Sequence, residues 1–350
     1  MKTKVAFVGV GDISGIYLKN ITQRFINVEV VGVCDLVHAK AEKAAKQYNL
    51  HIYENMHEVF ADPNVDIVLN LTRPDEHFAV TKAALESNKH VYTEKPLAAT
   101  FEQGKELFEL AKQNKLWLGG APDTFMGAGI AGSRALLSKI GQPVGFAAHM
   151  ICRGHESWHP DPEFYYKHGG GPMLDMGPYY VTALVQLFGP VQSVMAMTKS
   201  SYATRTITSK PLSGTVIEVD VPTHYTCLLR FANGVTGTLV TSFDAYPPGV
   251  RNIELYGSLG TLSVPDPNNF NGDILLKLGK GDYKKLKNPV KDYAENSRGV
   301  GLADMACAMQ ENRPAQANAE LILHVLEVLT AFERSSESGQ VQAVEINKIN

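Results

Sequence analysis

Lys4-Val5-Ala6-Phe7-Val8-Gly9-Val10-Gly11-Asp12-Ile13-Ser14-Gly15 decides the fold. The apolar run ending at Val8 predicts a short buried strand, and it leads directly into a glycine turn. A helical pattern follows, with Leu18, Ile21 and Phe25 recurring on one face. Strand, glycine turn and helix in that order make a phosphate-binding corner. Gly9 permits the tight turn, Gly11 lets the backbone approach a pyrophosphate, and the helix N-terminus offers free N–H groups and partial positive charge to an anion. Ser14 stands where a third glycine is usual, a small-for-small exchange. Asp12 is expected beside the phosphates or as the cap of the helix, with Ile13 next to it at the same site.

Working outward, Val28 to Cys34 predicts a second strand that ends in Asp35. An acid roughly 20 positions beyond the glycines accepts hydrogen bonds from a ribose 2′-hydroxyl and repels a 2′-phosphate, so NAD is favoured over NADP. A helix from Ala39 to Tyr48, a strand at His51 to Tyr53 and the buried parallel strand Val65 to Leu71 continue the alternation. Arg73-Pro74-Asp75 breaks it and starts a helix through Ala84. His90 to Tyr92 is the next strand and ends at Glu94-Lys95-Pro96. A helix Phe101 to Gln113 and a strand Leu116 to Leu118 complete the expected α/β Rossmann domain, residues 1–123. In an open parallel sheet, ligands bind at the carboxyl ends of strands. Gly9, Gly11, Asp35, Thr72 and Lys95 fall at such ends, with Arg73, His77 and Glu94 beside them, and together they form the expected cofactor site.

Beyond about Pro122 the pattern changes to longer strands of alternating polarity joined by hairpin signals, of which Asn233-Gly234 is the clearest. Residues 124–350 therefore read as a second, α+β domain with a largely antiparallel open sheet. Expected strands are Val144–Cys152, Val191–Thr198, Thr223–Phe231, Val235–Phe243, Arg251–Tyr256 and Leu259–Val264. Expected helices are Ile130–Lys139, Met176–Phe188, Ala303–Gln310 and Glu320–Ser335, and Pro265 to Gly272 reads as a surface loop.

Composition limits the function classes. At 350 residues, about two domains are expected. Lys plus Arg number 33 against 36 Asp plus Glu, a net charge of −3, which gives no reason to invoke nucleic acid or an anionic membrane. No uninterrupted apolar segment approaches the ~20 residues that span a bilayer. The four cysteines, Cys34, Cys152, Cys227 and Cys307, are scattered without a C-x-x-C, as suits reduced thiols in a cytoplasmic protein.

The combination Gly9-x-Gly11, Asn70-Leu-Thr-Arg-Pro74, Glu94-Lys95-Pro96 and Gly169-Gly170-Gly171-x-x-x-Asp175-x-Gly177-x-Tyr179 resembles the glucose–fructose oxidoreductase / inositol dehydrogenase / rhizopine catabolism family over essentially the whole chain. The resemblance implies that the second domain carries the substrate pocket. It also implies that the open face of its sheet makes homodimer or homotetramer contacts, and that the reaction is reversible oxidation of a secondary alcohol on a sugar or cyclitol.

The residues support the same chemistry. Oxidising an alcohol needs a base for the hydroxyl proton, while a nicotinamide takes the hydride. Lys95, Tyr179 and Asp175 are the expected catalytic residues. Asp175 and Tyr179 at i and i+4 would share one helix face, with Tyr180 pointing elsewhere. A phenol with a pKa near ~10 is a poor base at neutral pH, but an adjacent ammonium such as Lys95 favours the phenolate. Tyr179 stands where many inositol-type members carry histidine, so Lys95 could itself relay the proton.

The loop Arg153-Gly154-His155-Glu156-Ser157-Trp158-His159-Pro160-Asp161-Pro162 reads as a pocket wall. Trp158 is expected to stack on a pyranose, and His155 and His159 to donate to its hydroxyls. Asp123, at the end of the first domain, is expected at the substrate with Asp175 and Tyr179. His155, Glu156 and His159 also have side chains able to bind zinc or manganese, but they lack fixed helix or strand spacing, and no metal is assigned. Two other readings stay open: a cofactor-retaining oxidoreductase that oxidises and reduces sugars in turn, and a non-catalytic NAD-dependent sensor or scaffold.

Overall fold

The computed structural model describes residues 2–247 and 249–345. Its first sheet has six parallel strands: β1 (Thr3–Val8), β2 (Val28–Cys34), β3 (His51–Ile52), β4 (Ile67–Asn70), β5 (His90–Thr93) and β6 (Leu118–Gly120), in the order β3-β2-β1-β4-β5-β6. The order reverses between β1 and β4, which opens a crevice at their carboxyl ends. Helices cover both faces of such a sheet, so central strands are apolar throughout. Every residue of β4 is buried. The helix Phe101–Gln113 has the predicted bounds and starts at Thr100, whose hydroxyl accepts the Gln103 N–H at 3.2 Å. A short helix, Met56–Ala61, was not expected; Asn55 caps it by accepting the His57 and Glu58 N–H groups.

The chain divides into two compact units, the first division falling after Asp123. Asn296–Leu323 groups with the residues up to Asp123, whereas the second unit comprises Thr124–Glu295 and the described residues from His324 to Glu345. The cause is polar anchoring of the returning segment. Asn20 donates to the Asn296 and Arg298 carbonyls at 2.9 and 2.8 Å, Asn27 donates to the Ala303 carbonyl at 2.8 Å, and Asp123 accepts two N–H groups at the start of the helix Val300–Glu311.

The second unit is built on a nine-stranded sheet. Its strands are β7 (Pro143–Ile151), β8 (Val191–Lys199), β11 (His224–Phe231), β12 (Thr236–Ser242), β13 (Ile253–Gly257), β14 (Gly260–Val264), β15 (Leu275–Leu278), β16 (Lys284–Lys285) and β17 (Gln342–Ala343). The order is β16-β15-β14-β13-β7-β12-β11-β8-β17, with β7 and β12 parallel and the other pairs antiparallel. Alternation along β11 shows why it has two faces: Tyr225, Cys227, Leu229 and Phe231 are buried, while Leu228 is exposed. The helix Gly177–Phe188 is almost wholly buried, and Phe188 meets Phe146 and Phe231 at ring separations of 5.7 and 5.4 Å. The opposite face leaves Met197 and Leu228 exposed. A separate two-stranded sheet, β9 (Thr204–Thr206) with β10 (Val216–Glu218), was not anticipated, nor were β15 to β17.

Candidate active site

In the first unit the glycine turn is shaped by backbone proximity. Gly9 has φ +93°, and a Cβ there would lie 2.7 Å from the Leu71 carbonyl oxygen and 2.9 Å from the Thr72 nitrogen. No side chain fits while β1 and β4 stay paired. A Cβ on Gly11 would meet no protein atom within 4 Å, so packing within the protein does not demand glycine there. A bare backbone facing open space at a helix N-terminus suits a pyrophosphate. Ser14 donates its hydroxyl to the Gly11 carbonyl at 2.6 Å and closes the turn. Asp12 is exposed and does not cap the helix Ser14–Gln23, which begins after Ile13 with no side-chain cap.

Asp35 accepts the Val10 N–H at 2.7 Å on one oxygen and the Val37 N–H at 2.8 Å on the other. The carboxylate thus ties the end of β2 to the glycine turn, and each oxygen keeps acceptor capacity for a ribose diol. Thr72 donates to Asn70 at 2.7 Å, and exposed Arg73 follows it at the end of β4. His77 and Glu94, expected at the cofactor, instead brace the crevice from beneath. His77 is buried, with its ring nitrogens 2.6 Å from the Pro96 oxygen and 3.0 Å from the Thr72 oxygen, and burial lowers its pKa. Glu94 accepts the Tyr17 hydroxyl at 2.8 Å on one oxygen and the Lys95 N–H at 2.9 Å on the other. These bonds hold the backbone of half-buried Lys95, which precedes a cis proline.

Asp123, expected at the substrate, is also structural. It is 1 % exposed and accepts the Gly299 and Gly301 N–H groups at 2.8 and 3.1 Å. Burial pushes its carboxyl up to about 6 despite those two bonds.

In the second unit Asp175 and Tyr179 fall on either side of a helix boundary. One helix, Gly171–Asp175, ends at Asp175, and Gly177–Phe188 begins after Met176. Pro178, in the first turn of the second helix, has no N–H to continue a ladder from the first, while Met176 between the two keeps right-handed helical backbone. Tyr179 is buried at the start of the second helix, and the Tyr180 hydroxyl is engaged elsewhere, accepting from Asn252 at 2.8 Å.

Asp175 pairs with His155, whose Nε2 lies 3.1 Å from the Asp175 carboxylate. Nδ1 of His155 is buried and has no hydrogen-bond partner among the described residues. His155 therefore serves Asp175 rather than donating freely to substrate as expected. Its ring is walled by Tyr165 at 4.2 Å, Phe243 at 4.5 Å and Trp158 at 5.2 Å. His159 accepts the Asp161 N–H on Nδ1 at 3.0 Å, and its ring packs on Trp158, Phe164 and Tyr165. Trp158 remains 61 % exposed. Glu156 is committed to Arg205 and to the Tyr166 hydroxyl, and among the described residues no three His, Cys, Asp or Glu side chains are grouped as metal ligands. Tyr165, Phe243 and Arg205 carried no signal in the sequence: aromatic and cationic residues in irregular or short segments do not announce their partners.

Two family models match the chain. One, described as an oxidoreductase family with an NAD-binding Rossmann fold, covers residues 3–119, and the other, the GFO/IDH/MocA C-terminal domain, covers residues 135–263. The chain belongs to the GFO/IDH/MocA oxidoreductase family. As a member it is an NAD-binding oxidoreductase, and the glycine turn and Asp35 fit that cofactor. An uncharacterized oxidoreductase of Schizosaccharomyces pombe is 26% identical over 338 residues, spanning 85% of this chain and 86% of that protein. Inositol 2-dehydrogenase/D-chiro-inositol 3-dehydrogenase of Lactiplantibacillus plantarum is 37% identical over 113 residues, only 32% of each chain. Among solved structures, levoglucosan dehydrogenase in complex with NADH and L-sorbose superimposes with a TM-score of 0.83 at 19% identity, covering 99% of this chain and 100% of that one. Aldose-aldose oxidoreductase of Caulobacter crescentus gives 0.79 at 20% identity, with coverage of 98% and 100%. These structural likenesses speak for the fold. No helix among the described residues is long and apolar enough to cross a membrane.

Proposed function

We propose that this family member reversibly oxidises a secondary alcohol of a pyranose, glycoside or cyclitol. The observation that carries the reading is the aromatic surround of the Asp175–His155 pair. Exposed Trp158, with His155, His159 and Tyr165 packed behind it, offers a flat apolar surface beside a carboxylate. A polyol ring has apolar C–H faces and a hydroxyl rim, and such a wall suits both. Bound NAD supplies the hydride acceptor for the carbinol C–H pair. The chain's own groups handle the other half: Lys95, at the end of β5, and Tyr179 take the hydroxyl proton as the C=O bond forms. Asp175, oriented by His155, accepts a hydrogen bond from a neighbouring hydroxyl. Glu94 and His77 keep the Lys95 turn fixed, so that the proton acceptor needs little rearrangement.

A panel of monosaccharides, glycosides and inositols with NAD, followed by absorbance of NADH, tests the proposal. Steady NADH formation with at least one member is the expected result. A protein that oxidises one sugar and passes the hydride to a second, reducing it, without releasing NADH would support the cofactor-retaining alternative. One that binds NADH and ligand with no turnover on any member would support the sensor.

A further inference from the structure

The β9–β10 hairpin took no part in the expected site, yet it delivers a buried cation to the base of the loop that carries His155. Arg205 is 4 % exposed. One terminal nitrogen donates to Glu156 Oε1 at 2.8 Å and approaches the Arg153 carbonyl at 3.4 Å. The other donates to the Phe243 carbonyl at 2.9 Å and to Asp244. Its guanidinium also lies 5.3 Å from the Tyr166 ring and 4.8 Å from that of Tyr202. We propose that Arg205 is a positioning residue for the His155–Asp175 pair, gripping at once the loop that bears His155 and the wall against which its ring rests. This rests on the reading above that Asp175 serves the reaction.

His155 has few anchors of its own. Its side chain makes one polar contact, Nε2 to Asp175, because Nδ1 is buried without a partner among the described residues. The Nε2–H tautomer donates that bond and leaves only a bare lone pair at Nδ1, whereas a proton on Nδ1 would be an unpaired buried donor. With no second bond, the ring's orientation is set by its main chain and its aromatic walls. Arg205 reaches both. Through Glu156 it fixes the Tyr166 hydroxyl, which accepts the His155 N–H at 3.3 Å. Through the Phe243 carbonyl and Asp244 it fixes the Phe243 ring, 4.5 Å from that of His155. Glu156 and Asp244 are 14 % and 6 % exposed, so these bonds sit largely out of water, where a planar five-donor fork can serve several acceptors and an ammonium cannot. Thr223 and the Ser201 N–H complete Asp244 at 2.8 and 3.1 Å, so the acid keeps its place.

The test uses the full chain with Arg205→Met, Arg205→Lys, His155→Ala and the double variant Arg205→Met/His155→Ala. Long-range proton–nitrogen NMR on protein labelled with ¹⁵N-histidine reads the His155 tautomer without any substrate. Turnover is read with the substrate found in the panel. The expected result is a single Nε2–H tautomer in the wild type that becomes averaged in Arg205→Met. kcat should fall about 10²-fold in that variant, as for a misplacement of about 1 Å, with NADH affinity within about threefold. The double variant should be no slower than His155→Ala alone, and Arg205→Lys should recover only part of the rate. An unchanged His155 tautomer in Arg205→Met, or a double variant slowed by the product of the two single effects, overturns the proposal. Should Arg205→Met not fold, Glu156→Gln, which removes the charge but keeps acceptor and shape, carries the same two measurements. If Asp175→Asn keeps full turnover, the reading of the reaction fails, while the tautomer measurement still decides whether Arg205 positions His155.

Discussion

The carboxylates at the two candidate sites are fixed differently. In the first, these acids bind mainly backbone: Asp35 holds the amides of Val10 and Val37, Asp123 holds those of Gly299 and Gly301, and Glu94 holds that of Lys95 together with the Tyr17 hydroxyl. In the second, acids bind other side chains: Asp175 pairs with His155, and Glu156 and Asp244 pair with Arg205. An acid bonded to backbone fixes the course of the chain and does not depend on another side chain being in place. An acid bonded to a cation or a ring depends on the rotamer of that partner. The first arrangement suits a cofactor of constant shape, and the second suits a pocket wall that can change with substrate.

The largest test of the contrast is catalytic. Lys95→Ala should lower turnover by about 10²–10⁴ while leaving NADH affinity within a few-fold, and Tyr179→Phe should do the same from the second unit. Unchanged turnover in Tyr179→Phe would reassign the base to Lys95 or to a histidine of the His155 to His159 loop.

A smaller effect concerns pH-dependent stability, where one buried group from each unit should respond with opposite sign. Asp123, raised to about 6 by burial, is favoured in its protonated form by the fold. Its contribution to stability is therefore greatest below the ordinary carboxylate pKa of about 4 and is lost as pH rises through about 6. His324 of the second unit is pushed down to about 4 by burial, accepts the Val191 N–H on Nε2 at 3.0 Å, and approaches the Glu345 oxygen through Nδ1. Its contribution is present above about 6.5 and is lost as pH falls through about 4. Each shift corresponds to roughly 3 kcal/mol. In melts between pH 4 and 7, Asp123→Asn should gain on the wild type as pH rises, and His324→Gln should gain as pH falls. Slopes of the same sign in the two variants would contradict this assignment.

The smallest effect is on cofactor choice. Asp35→Ser removes the charge that repels a 2′-phosphate, and the preference for NADH over NADPH should narrow by about tenfold, roughly 1.4 kcal/mol. A wild-type protein that already binds NADPH more tightly would refute the role given to Asp35.

Backbone anchoring is also what a sequence displays. The glycine turn, the Asp35 bond to Val37 at the end of β2 and Thr100 capping Phe101–Gln113 lie beside what they fix and can be read locally, whereas the Asp35 bond to Val10 spans 25 positions. His155 and Asp175 stand 20 positions apart, and Arg205 stands 49 and 39 positions from Glu156 and Asp244. No local period encodes such pairs; they follow from how β7, β12 and the β9–β10 hairpin come together. One miss was avoidable: Asn55 announced the cap of Met56–Ala61. The return of Asn296–Leu323 to the first unit was not legible, because a helical pattern does not say which sheet it will cover.

The Asp123 clasp bears on how this protein can be taken apart. It joins the last residue of the first pass through the cofactor unit to Gly299 and Gly301, which arrive only after the intervening chain has been made. Nucleotide binding is therefore not a portable cassette at the amino end of the gene. A fragment cut after Asp123 would leave a carboxylate without its amides and Asn20 and Asn27 without their carbonyls. A recombinant exchange of cofactor units between relatives has to carry both segments, the leading one and the later helix Val300–Glu311, or carry neither.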